Sequence, residues 1–487
     1  MTNHLSSTPL LDALKKSSQK PHAAFYAPGH KRGRGASQIM TDVLGKTVLK
    51  ADLPELPELD NLFAPQGVIK TAQDLAAATF GAAQTWFLVN GSTCGIMAAI
   101  LATCNPGDKI ILPRNIHQSA IAGLIHSGAI PIFINPKYDA RSQLALNVSS
   151  AAVKQALKQH PDTKAVMMLH PTYQGVCSDL KAIADLAHQH NIPLLVDEAH
   201  GAHFAFHDDL PNSALGQGAD LTVQSTHKTL SAMTQASMLH LQGNRVDSQR
   251  ISQALQLVQS TSPSYLLLAS LDAARQQMAT EGEYLMEQTI SLAERARKIA
   301  NLKGWSLFSP TPQPGCHKLD PTRLTLDVSQ LGITGFEADE ILHEQLGITC
   351  ELPLLNHLTF IISLGNTTQD INQLIIGCQA LTQNLTPNVA QTVCSSPMPR
   401  FWSAISSEPL VSPREAFFAP TETISIDRAS DHLCSELICP YPPGIPILMP
   451  GEVISNAAVD YLTQIFTVGG IVTGCNDPTL QTIKVLK

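Results

Sequence analysis

The chain has 487 residues, 44% hydrophobic and 15% charged, enough to bury large cores and to build two or three domains. A net charge of −8 leaves no basic footprint for nucleic acid or an anionic membrane surface. No apolar run approaches the roughly 18 residues of a membrane span. "MTNHLSSTPLLDALKKSSQK" lacks a signal-peptide core, and the ten cysteines are scattered without a CxxC pair, so a cytoplasmic protein with reduced thiols is expected.

Residues 1–60 read as an arm: a short amphipathic helix over 10–16, then "FYAPGHKRGRG", rich in turn formers and bases. That basic stretch suits either a flexible tail or, through Pro28–Lys31, a cover over a site. From Gly67 onward, short apolar strands are predicted at 85–89, 109–112, 130–134, 165–169, 193–196 and 221–224. Helical patterns at 96–102, 120–127 and 180–190 lie between them. The alternation predicts an α/β large domain with a mostly parallel sheet over 61–280. A helical tract and a strand–helix–strand mixture from about 323 to 377 predict a smaller α+β domain over 281–385. Residues 385–414, with "TPNVAQTVCSSPMPR", read as a connection, and the C-terminal unit over 386–487 carries "LICPYPPGIPILMPGEVI".

Three motifs carry chemistry. In "FLVNGSTCGIMAAI" a strand turns into a helix starting near Thr93. Its free N–H groups, with the Ser92 and Thr93 hydroxyls, suit a phosphate as well as an ordinary N-cap. In "IPLLVDEAHGAH" Asp197 ends an apolar strand, where a carboxylate needs a cation or donors. A nucleotide hydrolase would require a phosphate loop; "GKT" at 45–47 puts Met40 where the first glycine belongs. His200, His203 and His207 have helix-face spacing for a metal, but Gly201 and the lack of a further ligand argue against it, and no metal is expected. In "VQSTHKTLSAMTQAS" Lys228 stands among hydroxyls without a local acid. A lysine amine forms Schiff bases, and pyridoxal 5'-phosphate is the carbonyl cofactor that also needs an acid at its ring nitrogen.

These stretches, with "APGHK", "LPELDNLFAPQGVI", "PRNIHQSAI", "HPTYQGVCSDL" and "TSPSYLLLASLDAAR", closely resemble the ornithine/lysine/arginine decarboxylases of the aspartate aminotransferase superfamily, in a short form without the N-terminal wing domain. The resemblance implies a fold type I large domain with a smaller α+β domain and a family C-terminal domain. It implies pyridoxal phosphate held through Lys228, with Asp197 at the pyridine nitrogen. Ala199 and His117 would lie on the two ring faces, and Ser92, Thr93, Ser225 and His227 would hold the phosphate. Thr172 would approach the phenolic oxygen. It further implies a homodimer or higher oligomer with the site at the subunit interface, where Thr261 and Ser262 reach the neighbour's phosphate.

The expected reaction is decarboxylation of a basic L-amino acid, arginine first, lysine next and ornithine third, to a polyamine-pathway amine. An aminotransferase with Arg323 as carboxylate clamp, and a catalytically silent regulatory relative, are the alternatives. Candidate acids for the substrate's distal cation are Asp52, Glu55, Glu58 and Glu452, each of which also suits a solvated surface charge.

Overall fold

The computed structural model describes residues 5–384, 409–441 and 444–487. Most of the expected connection, 385–408, lies outside the described residues.

The central sheet has seven strands: β1 (Gln84–Leu88), β2 (Lys109–Pro113), β3 (Ile130–Ile134), β4 (Ala165–Leu169), β5 (Leu194–Asp197), β6 (Leu221–Gln224) and β7 (Ser237–Leu241). Their order is β1-β7-β6-β5-β4-β2-β3. All neighbours run parallel except β7, which is antiparallel to both β1 and β6. The near-continuous burial along these strands follows from helices covering both faces. Leu88, Val223 and Leu239 face a core built with the helices Gly91–Thr103, Gln118–Ser127 and Ser248–Val258. Phe87 and Met238, one residue out of phase, face helices Pro9–Gln19, Val68–Phe80 and Tyr265–Arg297 instead. The N-terminal segment is thus part of this core: Leu10, Leu14, Leu53 and Leu59 are all buried in it.

The basic "GHKRGRG" stretch is neither loose nor free. Lys31 donates to the Tyr26 carbonyl, and Arg32 donates to the carbonyls of Ser18 and Lys20 at the end of helix Pro9–Gln19. "GKT" falls inside the helical segment Gln38–Ala51, which breaks at Gly45 (φ 77°), so it is no phosphate loop.

Helix Tyr265–Arg297 spans 33 residues, about 50 Å, and runs from the large sheet to a four-stranded antiparallel one. That second sheet, centred on Arg323–Asp327 and His357–Ile361, packs on helices Gly335–Leu346 and Thr368–Asn384. The C-terminal unit has its own small core under helix Asn456–Thr467 and the antiparallel pair Thr421–Ser425 with Thr482–Leu486. Among the described residues, no helix is long and apolar enough to cross a membrane.

Candidate active site

The site lies beyond the carboxyl ends of β1, β5 and β6, where an open α/β sheet leaves its crevice. β5 ends on Asp197, which is 3% exposed and whose carboxylate accepts the Ala199 N–H at 3.1 Å. Burial raises its carboxyl above the usual range, and the nearby Lys228 charge opposes that rise. β6 runs into the short helix Thr226–Thr229, which carries Lys228. Burial lowers the lysine's pKa, against the attraction of Asp197 and Glu351. The charges of Asp197 and Lys228 therefore act on each other.

His200, three residues after Asp197, puts its Nε2 2.9 Å from the Lys228 Nζ. Tyr173 packs against it with ring centres 4.3 Å apart, and the Lys228 Nζ lies 5.5 Å from the Tyr173 ring centre. Arg323 is fully buried and donates from Nη2 to the His200 carbonyl at 2.8 Å. Its Nε and Nη1 have no hydrogen-bond partner among the described residues, although Asp320 stands 3.9 Å from Nε. Asp320 is anchored by His203 at 3.1 Å and the Thr322 hydroxyl at 2.7 Å. Gly175 (φ 86°) makes room for Arg323, since a Cβ there would come 2.8 Å from its Cγ.

On the other side, His117 caps helix Gln118–Ser127 through Nδ1, which accepts the Ser119 N–H. Burial, helped by the Lys228 charge, lowers its pKa to about 4, so the ring is neutral. At the start of helix Gly91–Thr103 the Asn90 side chain makes no capping bond, and the Ser225 hydroxyl donates to Ser92 Oγ at 2.8 Å. The Thr226 Oγ1 is buried without a partner among the described residues. Uncapped N–H groups, paired hydroxyls and an orphaned hydroxyl are what a phosphate monoester would satisfy. The donor set fits pyridoxal phosphate.

The other expected residues make contacts of their own. Thr93 is exposed, and the Thr172 hydroxyl accepts the Val176 N–H within its own turn. His227 Nδ1 faces the Ala236 carbonyl at 2.9 Å. Thr261 and Ser262 are exposed in the loop whose Ser260 N–H reaches the Asn90 side chain. His200 enters as a partner of Lys228, not as a metal ligand. His203 is taken by Asp320 and His207 by Glu287, and no group of three or more metal-ligating side chains occurs among the described residues. The four acids considered for the distal cation are all engaged elsewhere. Asp52 meets His30, Glu55 the Asn61 amide, and Glu58 Lys20, while Glu452 forms a buried ion pair with Arg114. Arg323 is the most enclosed cation at the site. Sequence reasoning passed over Tyr173 and Glu351. Tyr173 adjoins Thr172 in "HPTYQG", a usable signal; nothing local in "TCELP" marks Glu351.

A seven-stranded sheet with one reversed strand, an acid ending β5 and a lysine just beyond β6 define the fold type I class of pyridoxal-phosphate enzymes. The solved lysine decarboxylase of Francisella novicida has this fold, with a TM-score of 0.84 and 22% identity over 98% of this chain and 81% of that one. The chain belongs to the Orn/Lys/Arg decarboxylase family. The family's major domain matches residues 8–370 and its C-terminal domain residues 400–474. It is 40% identical to the arginine decarboxylase of Bacillus subtilis over 99% of this chain and 98% of that protein. The arginine decarboxylase of Bacillus anthracis is 39% identical over 99% of this chain and 97% of its own length.

Proposed function

We propose that this protein is a cytoplasmic, pyridoxal-phosphate-dependent decarboxylase of L-arginine. The observation that carries the reading is the half-buried Lys228 amine, whose charge acts on the buried Asp197 carboxylate, in a chain 40% identical along its length to an arginine decarboxylase. Lys228 would bind the cofactor covalently, Asp197 would keep its ring nitrogen protonated, and His117 and Ala199 would enclose the ring. Ser92, Thr93, Ser225 and His227 would hold the phosphate, and Thr172 the phenolic oxygen. When bound, the cofactor supplies an electron sink for the pair released as the bond between Cα and the carboxylate breaks.

The chain's own groups then have distinct tasks. Burial lowers the Lys228 pKa, which favours the free amine that acts as nucleophile and, once protonated, as donor to the substrate Cα. His200 is positioned to exchange a proton with Lys228 Nζ. Glu351 is exposed, and its charge acts on both Lys228 and Arg323. We assign it to the substrate's distal guanidinium, which favours a bidentate carboxylate.

One observation favours the aminotransferase reading: the two buried Arg323 nitrogens, Nε and Nη1, without hydrogen-bond partners among the described residues would suit a substrate carboxylate. Incubating the purified protein with pyridoxal phosphate and arginine, lysine or ornithine separates the readings. Carbon dioxide with agmatine as the leading product supports the proposal; keto acid without carbon dioxide overturns it. No turnover by a protein that still binds cofactor leaves the silent relative. A homo-oligomer is part of the proposal. Ile39, Met40, Val43 and Leu44 form an exposed apolar patch on the helical turns before the break at Gly45. In this proposal a second copy covers it, and sedimentation of a Val43→Asp variant as monomer is the expected result; Thr261 and Ser262 would reach the neighbour's phosphate.

A further inference from the structure

The C-terminal unit meets the start of helix Gln118–Ser127. Arg114 leaves the end of β2 with its side chain fully buried. Its Nε and Nη2 donate to the two carboxylate oxygens of Glu452 at 2.9 and 2.8 Å, and its Nη1 and Nη2 donate to the carbonyls of Pro446 and Ile447 at 2.6 and 3.1 Å. Glu452 is locked in turn by the Met449 N–H at 3.1 Å. Three residues after Arg114 comes His117. There the Gly444 carbonyl accepts the Gln118 N–H at 3.1 Å, satisfying a donor of the helix's first turn. Gly444 also lies against the imidazole: a Cβ on it would stand 3.2 Å from His117 Nε2 and 3.2 Å from Gln118 Nε2. Its φ of 79° is a second reason for glycine.

We propose that the C-terminal unit is a positioning device for His117, with Glu452 fixing the segment before the histidine through Arg114 and Gly444 setting the ring's place by direct packing. The inference rests on the functional reading only for what His117 does; its placement is a property of the chain itself. A planar bidentate pair with two further carbonyl acceptors holds Arg114 more tightly than a single surface contact could. A ring held from behind by backbone keeps the orientation that stacking on a cofactor needs. Glu452 and Gly444 are positioning residues in this scheme, since neither meets the reacting atoms.

The test compares Glu452→Gln and Gly444→Ala with Ile483→Ala, a cavity-forming change in the same unit's core but outside these contacts. Full-length protein with ¹⁵N-labelled histidine gives the His117 ring resonances, assigned by their absence from His117→Asn. The expected result is that Glu452→Gln and Gly444→Ala shift those resonances with or without pyridoxal phosphate. Both should also release bound cofactor up to about tenfold faster, the scale of one lost aromatic stacking contact, while Ile483→Ala lowers thermal stability and leaves His117 in place. Unshifted His117 resonances in a folded Gly444→Ala or Glu452→Gln chain overturn the proposal, as does an equal shift in Ile483→Ala. Because the resonances are read in cofactor-free protein as well, this result stands apart from whether the protein takes up pyridoxal phosphate at all.

Discussion

The Lys228 amine and the His200 imidazole face each other at 2.9 Å, with the Arg323 Nη2 3.4 Å from the other ring nitrogen. Arginine only donates, so a proton on His200 Nδ1 would face another donor. The tautomer that avoids this carries its proton on Nε2 and donates to an uncharged Lys228. Burial acts in the same direction, lowering the pKa of both residues. In that arrangement His200 disfavours the ammonium form of Lys228, and the lysine lone pair must leave this hydrogen bond before it attacks a carbonyl.

His200→Gln should therefore lose turnover by about 10²-fold, the lower end of general acid–base effects, and still bind cofactor. Carbon dioxide release and cofactor absorbance measured on one sample check both halves. Full activity in the variant would remove His200 from the mechanism.

Asp197→Ala should separate chemistry from retention in the same way. Turnover is expected to fall by about 10²–10³-fold, as when one preorganised electrostatic group is removed. Cofactor content after gel filtration should change far less, because Lys228 and the hydroxyls beyond β1 and β6 remain. Undiminished decarboxylation would refute the assignment of Asp197.

Glu351→Gln keeps the shape and removes the charge proposed for the guanidinium. A charged hydrogen bond contributes about 1.5–3 kcal/mol, so KM for arginine should rise roughly 10- to 100-fold with kcat little changed. Initial-rate kinetics decide this, and an unchanged KM would send the search for the distal acid to a neighbouring subunit.

How much of this was legible in the sequence depends on how local the cause is. β3, β4 and β6 run over the residues their patterns predict, because short apolar runs bounded by turns have few other uses. β7 (Ser237–Leu241) was missed: its five residues include His240, whose partners, Gln224 and Thr85, come from the strands on either side. Asp197 and Lys228 stood out because strand ends are visible in sequence. Glu452 looked like a surface or substrate acid because Arg114 is 338 residues away. The burial of Arg323 was illegible for the same reason: His200, whose carbonyl it binds, is 123 residues distant.

Gly95 shows a packing constraint that reaches the phosphate end of the site. A Cβ there would come 2.7 Å from Leu88 Cδ1 and 2.7 Å from Val223 Cγ1, on β1 and β6. Gly95→Ala must lift helix Gly91–Thr103 from the sheet, at a cost of about 1–3 kcal/mol, and carry Ser92 away from Ser225. Lower stability together with weaker cofactor binding, by calorimetry and titration, is expected. Loss of stability with unaltered binding would dissociate the helix start from the phosphate site.

Glu198 provides the pH test. It follows Asp197, is fully buried, and accepts the Ala214 N–H and the Gln224 Nε2, each at 2.7 Å. Burial raises its pKa to about 8, outweighing those hydrogen bonds. The folded pKa lies above the unfolded one, so the native chain keeps a proton that the unfolded chain has lost. This group's contribution is most favourable below about pH 4.5 and diminishes as pH rises toward 8, by at most about 1.4 kcal/mol per pH unit. Glu198→Gln cannot ionise. It should be less stable than the parent at pH 5, where its amide meets the Gln224 amide, and should gain on the parent steadily up to pH 8.5. Urea midpoints of the two proteins across that range measure the difference directly, and a constant gap would mean that Glu198 titrates alike in the folded and unfolded chains.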